Sequence, residues 1–238
     1  MEEFRKALRE LAGLAGLPLS AEQTEKLTLY YVMLEEANRS FNLTTVVSPG
    51  EAAERHFIDS LALPALNLLS PGERIIDVGS GAGFPGLPIA IVRDSLTVVL
   101  LDSTRKRTAF LESVVHALGL SNVSVVTARA EDYARGPARE TFDAALSRAV
   151  APLNVLLEYT LPLIRPGGKA LAWKGPQAGE EMAAAARASA LLGGGEMKSY
   201  GYSLSGRSGF YIIEVKKIRQ TPGKYPRKAG KPSSEPII

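Results

Sequence analysis

Within the ten residues Asp77-Val-Gly-Ser-Gly-Ala-Gly-Phe-Pro-Gly86 the chain places one carboxylate and four glycines, at 79, 81, 83 and 86. Glycines in such a run let backbone amides approach a ligand closely. Read from Gly81, it fits G-x-G-x-x-G, the pattern that seats a dinucleotide pyrophosphate at a helix N-terminus with an acid about 20 residues onward for the ribose. Asp102 supplies that acid, which leaves a nicotinamide or flavin dehydrogenase as one reading. Asp77 favours another. A carboxylate at the end of the first strand repels pyrophosphate but attracts a ligand carrying an ammonium and a sulfonium, and S-adenosylmethionine is that ligand. Asp77, Gly79 and Asp102 are therefore the first candidate cofactor residues. Both acids also have a structural use, Asp77 as a turn or helix cap and Asp102 as the N-cap before Ser103-Thr104.

Further candidates follow from where open α/β sheets bind ligands, at the carboxyl ends of their strands. Ala130-Glu131-Asp132 follows the third strand, where an acid can accept from an adenine amino group or simply enrich a helix N-terminus. Arg148, at the end of the fourth strand, can meet a carboxylate or a phosphate. His56 stands in Arg55-His-Phe-Ile-Asp59 near the mouth of the cleft as a candidate positioning group for the substrate, alongside Arg148; His116 reads as a surface or packing residue. Phe84, Phe41 and Tyr211 are the aromatic candidates for stacking a base. Arg55, Arg148, Lys174, Arg207, Arg227 and Lys228 are candidate phosphate contacts, groups that give salt-dependent affinity more than sequence readout. No residues have metal-ligand spacing, so no metal is expected.

Those residues need a scaffold. Helical spacing covers residues 2 to 12 and 20 to 41, with Ser20 and Gln23 as a capping box, and resumes from Glu51 to Leu69 between two Ser-Pro-Gly breaks. From residue 73 short apolar strands alternate with helical patterns: Arg74 to Val78, Leu96 to Leu101, Val123 to Val126, Phe142 to Leu146 and Lys169 to Trp173. That alternation implies βαβ units. After an Ala-rich helix from Glu180 to Leu192, residues 196 to 203 and 210 to 217 read as a closing hairpin. The fold expected is α/β: a Rossmann-like, seven-stranded, mainly parallel sheet with a helical N-terminal extension. The predicted division is an extension over 1–70, a catalytic domain over 71–218 and a basic tail over 219–238.

Composition narrows the function classes. At 238 residues, 45% hydrophobic and 22% charged, the chain falls in the globular range. Its longest largely apolar runs hold about six residues, far below the roughly 20 needed to span a bilayer, and its start lacks the pattern of a secretory signal. A cytoplasmic location is expected. Zero cysteines exclude disulfides and every cysteine nucleophile, including that of the usual pyrimidine C5 methylation. The net charge of +3 is uneven: from Lys216 onward seven basic residues face one acid, whereas the rest carries 21 basic and 24 acidic residues. A positive C-terminal segment suits a polyanion or is a solvated tail. Removing residues 220–238 is thus expected to cost polyanion affinity and to spare cofactor binding.

Taken together, Phe41-Asn-Leu-Thr44, Arg55-His-Phe-Ile-Asp-Ser60, the glycine loop, Asp102-Ser-Thr-Arg-Lys-Arg107, Ser147-Arg-Ala149, Lys174-Gly175 and Tyr225-Pro-Arg-Lys228 resemble one family over nearly the full length. It is the bacterial 16S ribosomal RNA guanine-N7 methyltransferases, formerly called glucose-inhibited division protein B. The resemblance implies S-adenosylmethionine as donor and a guanine in the decoding-region loop of small-subunit RNA as acceptor. It places cofactor contacts on Gly79, Phe84, Asp102, Ser103, Thr104, Ala130, Glu131 and Arg148. The chemistry agrees, because guanine N7 carries a free lone pair at neutral pH and needs positioning rather than a dedicated base. A non-catalytic RNA-binding factor acting through its tail is the third reading, and a monomer is the default state.

Overall fold

The computed structural model describes residues 1–46 and 48–238, and of Phe41 the backbone alone. Its centre is one seven-stranded sheet: β1 (Arg74–Val78), β2 (Thr97–Asp102), β3 (Val123–Thr127), β4 (Phe142–Arg148), β5 (Ile164–Lys174), β6 (Gly194–Leu204) and β7 (Arg207–Lys217). The order is β3-β2-β1-β4-β5-β7-β6, with β7 antiparallel to both neighbours and every other pair parallel. The strand order therefore reverses between β1 and β4, the point where open α/β sheets take ligands. Dinucleotide folds run 3-2-1-4-5-6, so the antiparallel β7 inserted before β6 removes the dehydrogenase reading at the level of topology.

Period-two alternation explains why the sheet is buried on both faces. In β1, Ile75 packs into the core on one side and Ile76 into the core on the other; in β2, Val98 and Leu100 face the first core, Val99 and Leu101 the second. Each such aliphatic side chain contributes roughly 1.5–3 kcal/mol by burial. The first core is closed by α1 (Glu2–Leu14), α2 (Ala21–Phe41), α5 (Gly86–Val92) and α6 (Arg105–Ala117). The second is closed by α8 (Leu153–Thr160) and α9 (Ala178–Leu192) together with Tyr225 of the C-terminal segment. α2 begins at the expected capping box, with Ser20 Oγ accepting from the Gln23 amide and Gln23 Oε1 accepting from the Ser20 amide. Among the described residues no helix is long and apolar enough to cross a membrane.

Three expectations change. The hairpin is longer than its sequence signal, because Ser205 and Gly206 both take positive φ, +45° and +76°, so that Leu204 pairs directly with Arg207. Two positive-φ residues match the right-handed strand twist, and the strands run up to the turn. The helical pattern over Glu51 to Leu69, expected as a helix pair, is α3 (Pro49–Ala52) and α4 (Asp59–Ala65) joined by a π-helical stretch over Ala53–Ile58. π-Helical segments inside helices are frequent at functional sites. Here the stretch presents the Arg55 and His56 carbonyls to Arg148 Nη1, at 3.2 and 3.4 Å.

The basic tail is not a loose polyanion-binding arm. Arg139 donates to the carbonyls of Thr221 (2.6 Å) and Tyr225 (2.8 Å), Arg135 to that of Pro226 (3.0 Å), and Asn154 to that of Ile237 (3.1 Å). Pro232 and the ring of Tyr225 are buried. Residues 219–238 form a strap across the α8 side of the sheet, ending in α10 (Lys231–Ser234).

Candidate active site

The glycine loop leaves β1 at the switch point. Gly79, at φ +77°, donates its amide to the Leu101 carbonyl (2.8 Å), tying the loop to β2. A Cβ there would lie 2.6 Å from Val150 Cγ2, so glycine is required both by the left-handed conformation and by the close approach of the β4–α8 loop. Asp77 is fully buried behind the loop. Its Oδ2 accepts from the Gly86 amide (2.9 Å), at the start of α5, and Oδ1 has no hydrogen-bond partner. Burial pushes its carboxyl up to about 7, against the pull of the Gly86 amide and Arg148. Its geometry is that of a loop support, the structural use foreseen for it, rather than a wall of the adjacent cavity.

That cavity has a volume of about 350 Å³ and lies over the carboxyl ends of β1, β2 and β3. Of the candidate cofactor residues, Gly79, Asp102, Ser103, Ala130 and Glu131 line it. Asp102 and Glu131 are only 5% and 3% exposed. Asp102 is held from two sides: Oδ2 accepts from the Gly81 amide (3.0 Å) and Oδ1 from the Thr104 amide (2.8 Å), with Arg107 at 3.5 Å. Thr104 thus orients Asp102 without lining the cavity. Glu131, in the one-turn helix α7 (Ala130–Tyr133), accepts through Oε1 from the amide of Gly230, 99 residues away (2.8 Å). Sequence reasoning missed Arg107, Arg129, Val150, Tyr159 and Ser233 in the same wall. The donor chemistry suits an adenosine group: two fixed carboxylates, able to accept from hydroxyls and an amino group, beside backbone that no Cβ obstructs.

Phe84 and Arg148 lie elsewhere. Phe84 is buried in an aromatic group, stacked on Tyr30 (5.2 Å between centroids) and on His56 (4.8 Å), with the Arg148 guanidinium 5.3 Å from its ring centre. Arg148 Nη1 is 2.6 Å from Asp59 Oδ2. Asp59 Oδ1 accepts in turn from the Tyr202 hydroxyl, and the Asp59 carbonyl accepts from Trp173 Nε1 (2.9 Å). His56 Nε2 meets Thr44 Oγ1 at 2.6 Å. Desolvation, reinforced by Arg148, lowers its ring to about 4, so it is neutral at physiological pH. Arg148, Asp59, Trp173, Lys174, Tyr202 and Phe210 belong to a second, more open cavity of about 740 Å³. Ala149, Val150 and Ala151 line both cavities and form the partition between them. Of the proposed stacking residues, Phe84 is core, Tyr211 stands in β7 opposite Lys174 outside this lining, and the Phe41 side chain lies outside the described residues.

The candidate phosphate contacts divide. Arg227 makes a two-pronged pair with the buried Glu158 (Nε to Oε1 2.9 Å, Nη2 to Oε2 2.6 Å), Lys174 pairs with Glu181 (2.6 Å), and Arg207 pairs with Glu54 (2.9 Å). Arg227 and Lys174 are taken up in holding the fold, which corrects their reading as free phosphate ligands; Arg207 keeps an exposed guanidinium beside its pair. Arg55 and Lys228 are exposed and have no carboxylate partner among the described residues. No cluster of three or more acids and histidines able to hold a metal occurs among the described residues.

Comparison with known proteins gives a consistent result. The family model described as rRNA small subunit methyltransferase G matches residues 23–203. A protein named ribosomal RNA small subunit methyltransferase G from Desulfitobacterium hafniense is 47% identical over 226 residues, covering 94% of this chain and 93% of the relative. One of the same name from Desulforamulus reducens is 40% identical over 242 residues and covers the whole of both chains. Among solved structures, TYW2 of M. jannaschii in complex with AdoMet aligns with a TM-score of 0.55 at 12% identity, over 73% of this chain and 80% of that one. TrmN from Thermus thermophilus aligns with a TM-score of 0.51 at 20% identity, over 70% and 53%. At those identities the structural likeness speaks for the fold alone.

Proposed function

The chain belongs to the rRNA small subunit methyltransferase G family, and on that premise we propose that its two adjoining cavities divide between them the methylation of a guanine N7 in the decoding-region loop of 16S ribosomal RNA. When bound, S-adenosylmethionine supplies an electrophilic methyl group on a sulfonium. The smaller cavity holds it: Asp102 accepts from the ribose hydroxyls, Glu131 from the adenine amino group, and Gly79, Ser103 and Ala130 give a close-fitting wall. Asp77 and Thr104 act one step behind, fixing the loop and the Asp102 carboxylate.

The guanine enters the larger cavity, where Trp173, Tyr202 and Phe210 offer aromatic surface and Arg148 offers a donor. N7 presents its lone pair without losing a proton, so the ring gains a methyl group and a positive charge and no general base is needed. His56, neutral and bonded to Thr44, packs the floor under Arg148 rather than moving a proton. Arg55, Lys228 and the exposed Arg207 lead phosphates toward the opening.

One observation carries this reading: the shared partition Ala149-Val150-Ala151, which sets the smaller, carboxylate-lined cavity directly against the larger, aromatic-lined one at the sheet's switch point. The test is methyl transfer from labelled S-adenosylmethionine to small-subunit particles from cells lacking the enzyme, mapped by mass spectrometry of RNA fragments. A single new methyl on a guanine, with the borohydride- and aniline-induced cleavage that N7 methylation permits, is expected. Absence of transfer to naked RNA, assembly intermediates and finished subunits alike, by protein that binds the cofactor, would instead support the non-catalytic RNA-binding factor.

A further inference from the structure

The strap over residues 219–238 is fastened on both sides of Gly230. Before it, Arg139 and Arg135 grip the carbonyls of Thr221, Tyr225 and Pro226, and Arg227 is paired with Glu158; beyond it, Pro232 is buried and Asn154 holds the Ile237 carbonyl. Between these anchors Gly230 turns at φ +84°, a conformation that favours glycine. The turn aims its amide at Glu131 Oε1 (2.8 Å) and brings Ser233 into the wall of the smaller cavity. Glu131 Oε2 makes no hydrogen bond among the described residues. A carboxylate with one oxygen fixed by a backbone donor has its second oxygen set in direction, and a buried carboxylate so oriented discriminates between a donor and an acceptor on the ligand.

We infer that residues 229–238 complete the cofactor site, with Gly230 as a positioning residue for Glu131 and Ser233 as part of the wall, so that the strap confers selectivity for a purine with a 6-amino group. The inference rests on the cofactor reading of the smaller cavity. It reverses the expectation that the tail is dispensable for the cofactor.

The chain ending at Lys228 keeps the Arg139, Arg135 and Arg227 anchors and loses the Gly230 amide and Ser233. Calorimetric titration of this form and of the full chain with S-adenosylhomocysteine and with its 6-oxo analogue, S-inosylhomocysteine, gives four dissociation constants. The full chain is expected to prefer the 6-amino ligand by about tenfold or more, a margin of ~1.4 kcal/mol. In the shortened chain the S-adenosylhomocysteine Kd should rise about tenfold and the preference fall toward unity. An unchanged Kd and ratio, or an equal loss for both ligands, overturns the inference, since the strap would then be absent from recognition or merely hold the fold. Failure of the full chain to bind S-adenosylhomocysteine would sink the cofactor reading and the inference with it. Glu131→Gln in the full chain gives an independent check. The amide oxygen still accepts from Gly230 and the NH2 group then faces the ligand, so the preference should invert toward the 6-oxo analogue; an unaltered preference counts against the inference even if the shortened chain does not fold.

Discussion

Arg148 Nη1 and Asp59 Oδ2, 89 residues apart in sequence, meet at 2.6 Å with both side chains about 14% exposed. The contact joins the end of β4 to the start of α4, and through Tyr202 it also engages β6. The helical N-terminal section is thereby fixed to the mouth of the larger cavity, and Arg148 is held over Phe84. Asp59→Asn removes the charge and leaves the guanidinium largely buried without a counter-ion. Breaking such a pair costs about 3–5 kcal/mol when fully buried and less at this exposure, so ~2–3 kcal/mol is expected by urea denaturation. Methyl transfer should fall at least about tenfold at saturating cofactor, with the S-adenosylhomocysteine Kd nearly constant, because Arg148 lines the other cavity. A parallel loss of cofactor affinity would place Arg148 in the smaller cavity instead.

Asp77 and His56 should give opposing pH dependences. The Asp77 carboxyl is raised from 3.8 to about 7 by burial, so between pH 4 and 7 the folded state holds more protons than the unfolded one, and stability falls as pH rises. The His56 ring is lowered from 6.5 to about 4, so between pH 4 and 6.5 the unfolded state holds more protons, and stability is lost as pH falls. In the wild type the two trends partly cancel below pH 6.5. Asp77→Asn should expose the histidine trend, with stability climbing from pH 4.5 to 6.5, and His56→Gln the aspartate trend, with stability declining from pH 4.5 to 7. Each slope is bounded by ~1.4 kcal/mol per pH unit. Denaturation curves for the three proteins at four pH values decide it, and slopes that match the wild type in both variants would remove these assignments.

What could be read before the structure was local. The strands announced themselves by short apolar runs between turn residues, α2 by its capping box, and the smaller cavity by the glycine loop with Asp102 and Glu131 at the expected strand ends. The π-helical stretch at Ala53–Ile58 has the sequence of an ordinary helix, because one changed hydrogen-bond ring leaves the apolar spacing almost intact. The pairings of Arg227 with Glu158 and Arg207 with Glu54 join residues 69 and 153 positions apart, and nothing in local spacing marks them. The basic tail illustrates the limit: a run of like charges looks solvated until the carboxylates and carbonyls that receive it come from other elements. Ser233 and Gly230 carry no chemical signal of their own, and only the strap's path brings them to Glu131.

Those pairings separate the basic residues experimentally. Lys228→Ala and Arg55→Ala should each weaken RNA-particle binding and reduce the slope of log K against log salt by about 0.7–0.9, with unchanged thermal stability. Arg227→Ala should act oppositely. It leaves Glu158, 1% exposed, buried without its partner, and is expected to cost ~3 kcal/mol of stability. Fluorescence-anisotropy titrations at several salt concentrations, beside thermal melts, give both readouts. A salt slope unmoved by Lys228→Ala and Arg55→Ala would shift the RNA path to another face.

Asp102 is the most connected group of the smaller cavity, and its substitution should separate ligand contact from loop order. Its two oxygens accept from the amides of Gly81 and Thr104, so the carboxylate fixes the glycine loop against the start of α6 while still facing the cavity. Asp102→Ala removes the acceptor for ribose hydroxyls and releases both amides. Hydrogen bonds to a charged group are worth about 1.5–3 kcal/mol, so the S-adenosylhomocysteine Kd should rise between about tenfold and a hundredfold. Asp102→Asn retains one acceptor oxygen of similar shape and can satisfy one of the two amides, so its loss of affinity should be intermediate and its loop better ordered. Calorimetry on both variants, with amide hydrogen exchange over residues 79–86, distinguishes the contributions. If the alanine variant bound the cofactor product as tightly as the wild type, Asp102 would be a loop clamp alone, and recognition of the ribose would pass to Ser103 and the rim arginines.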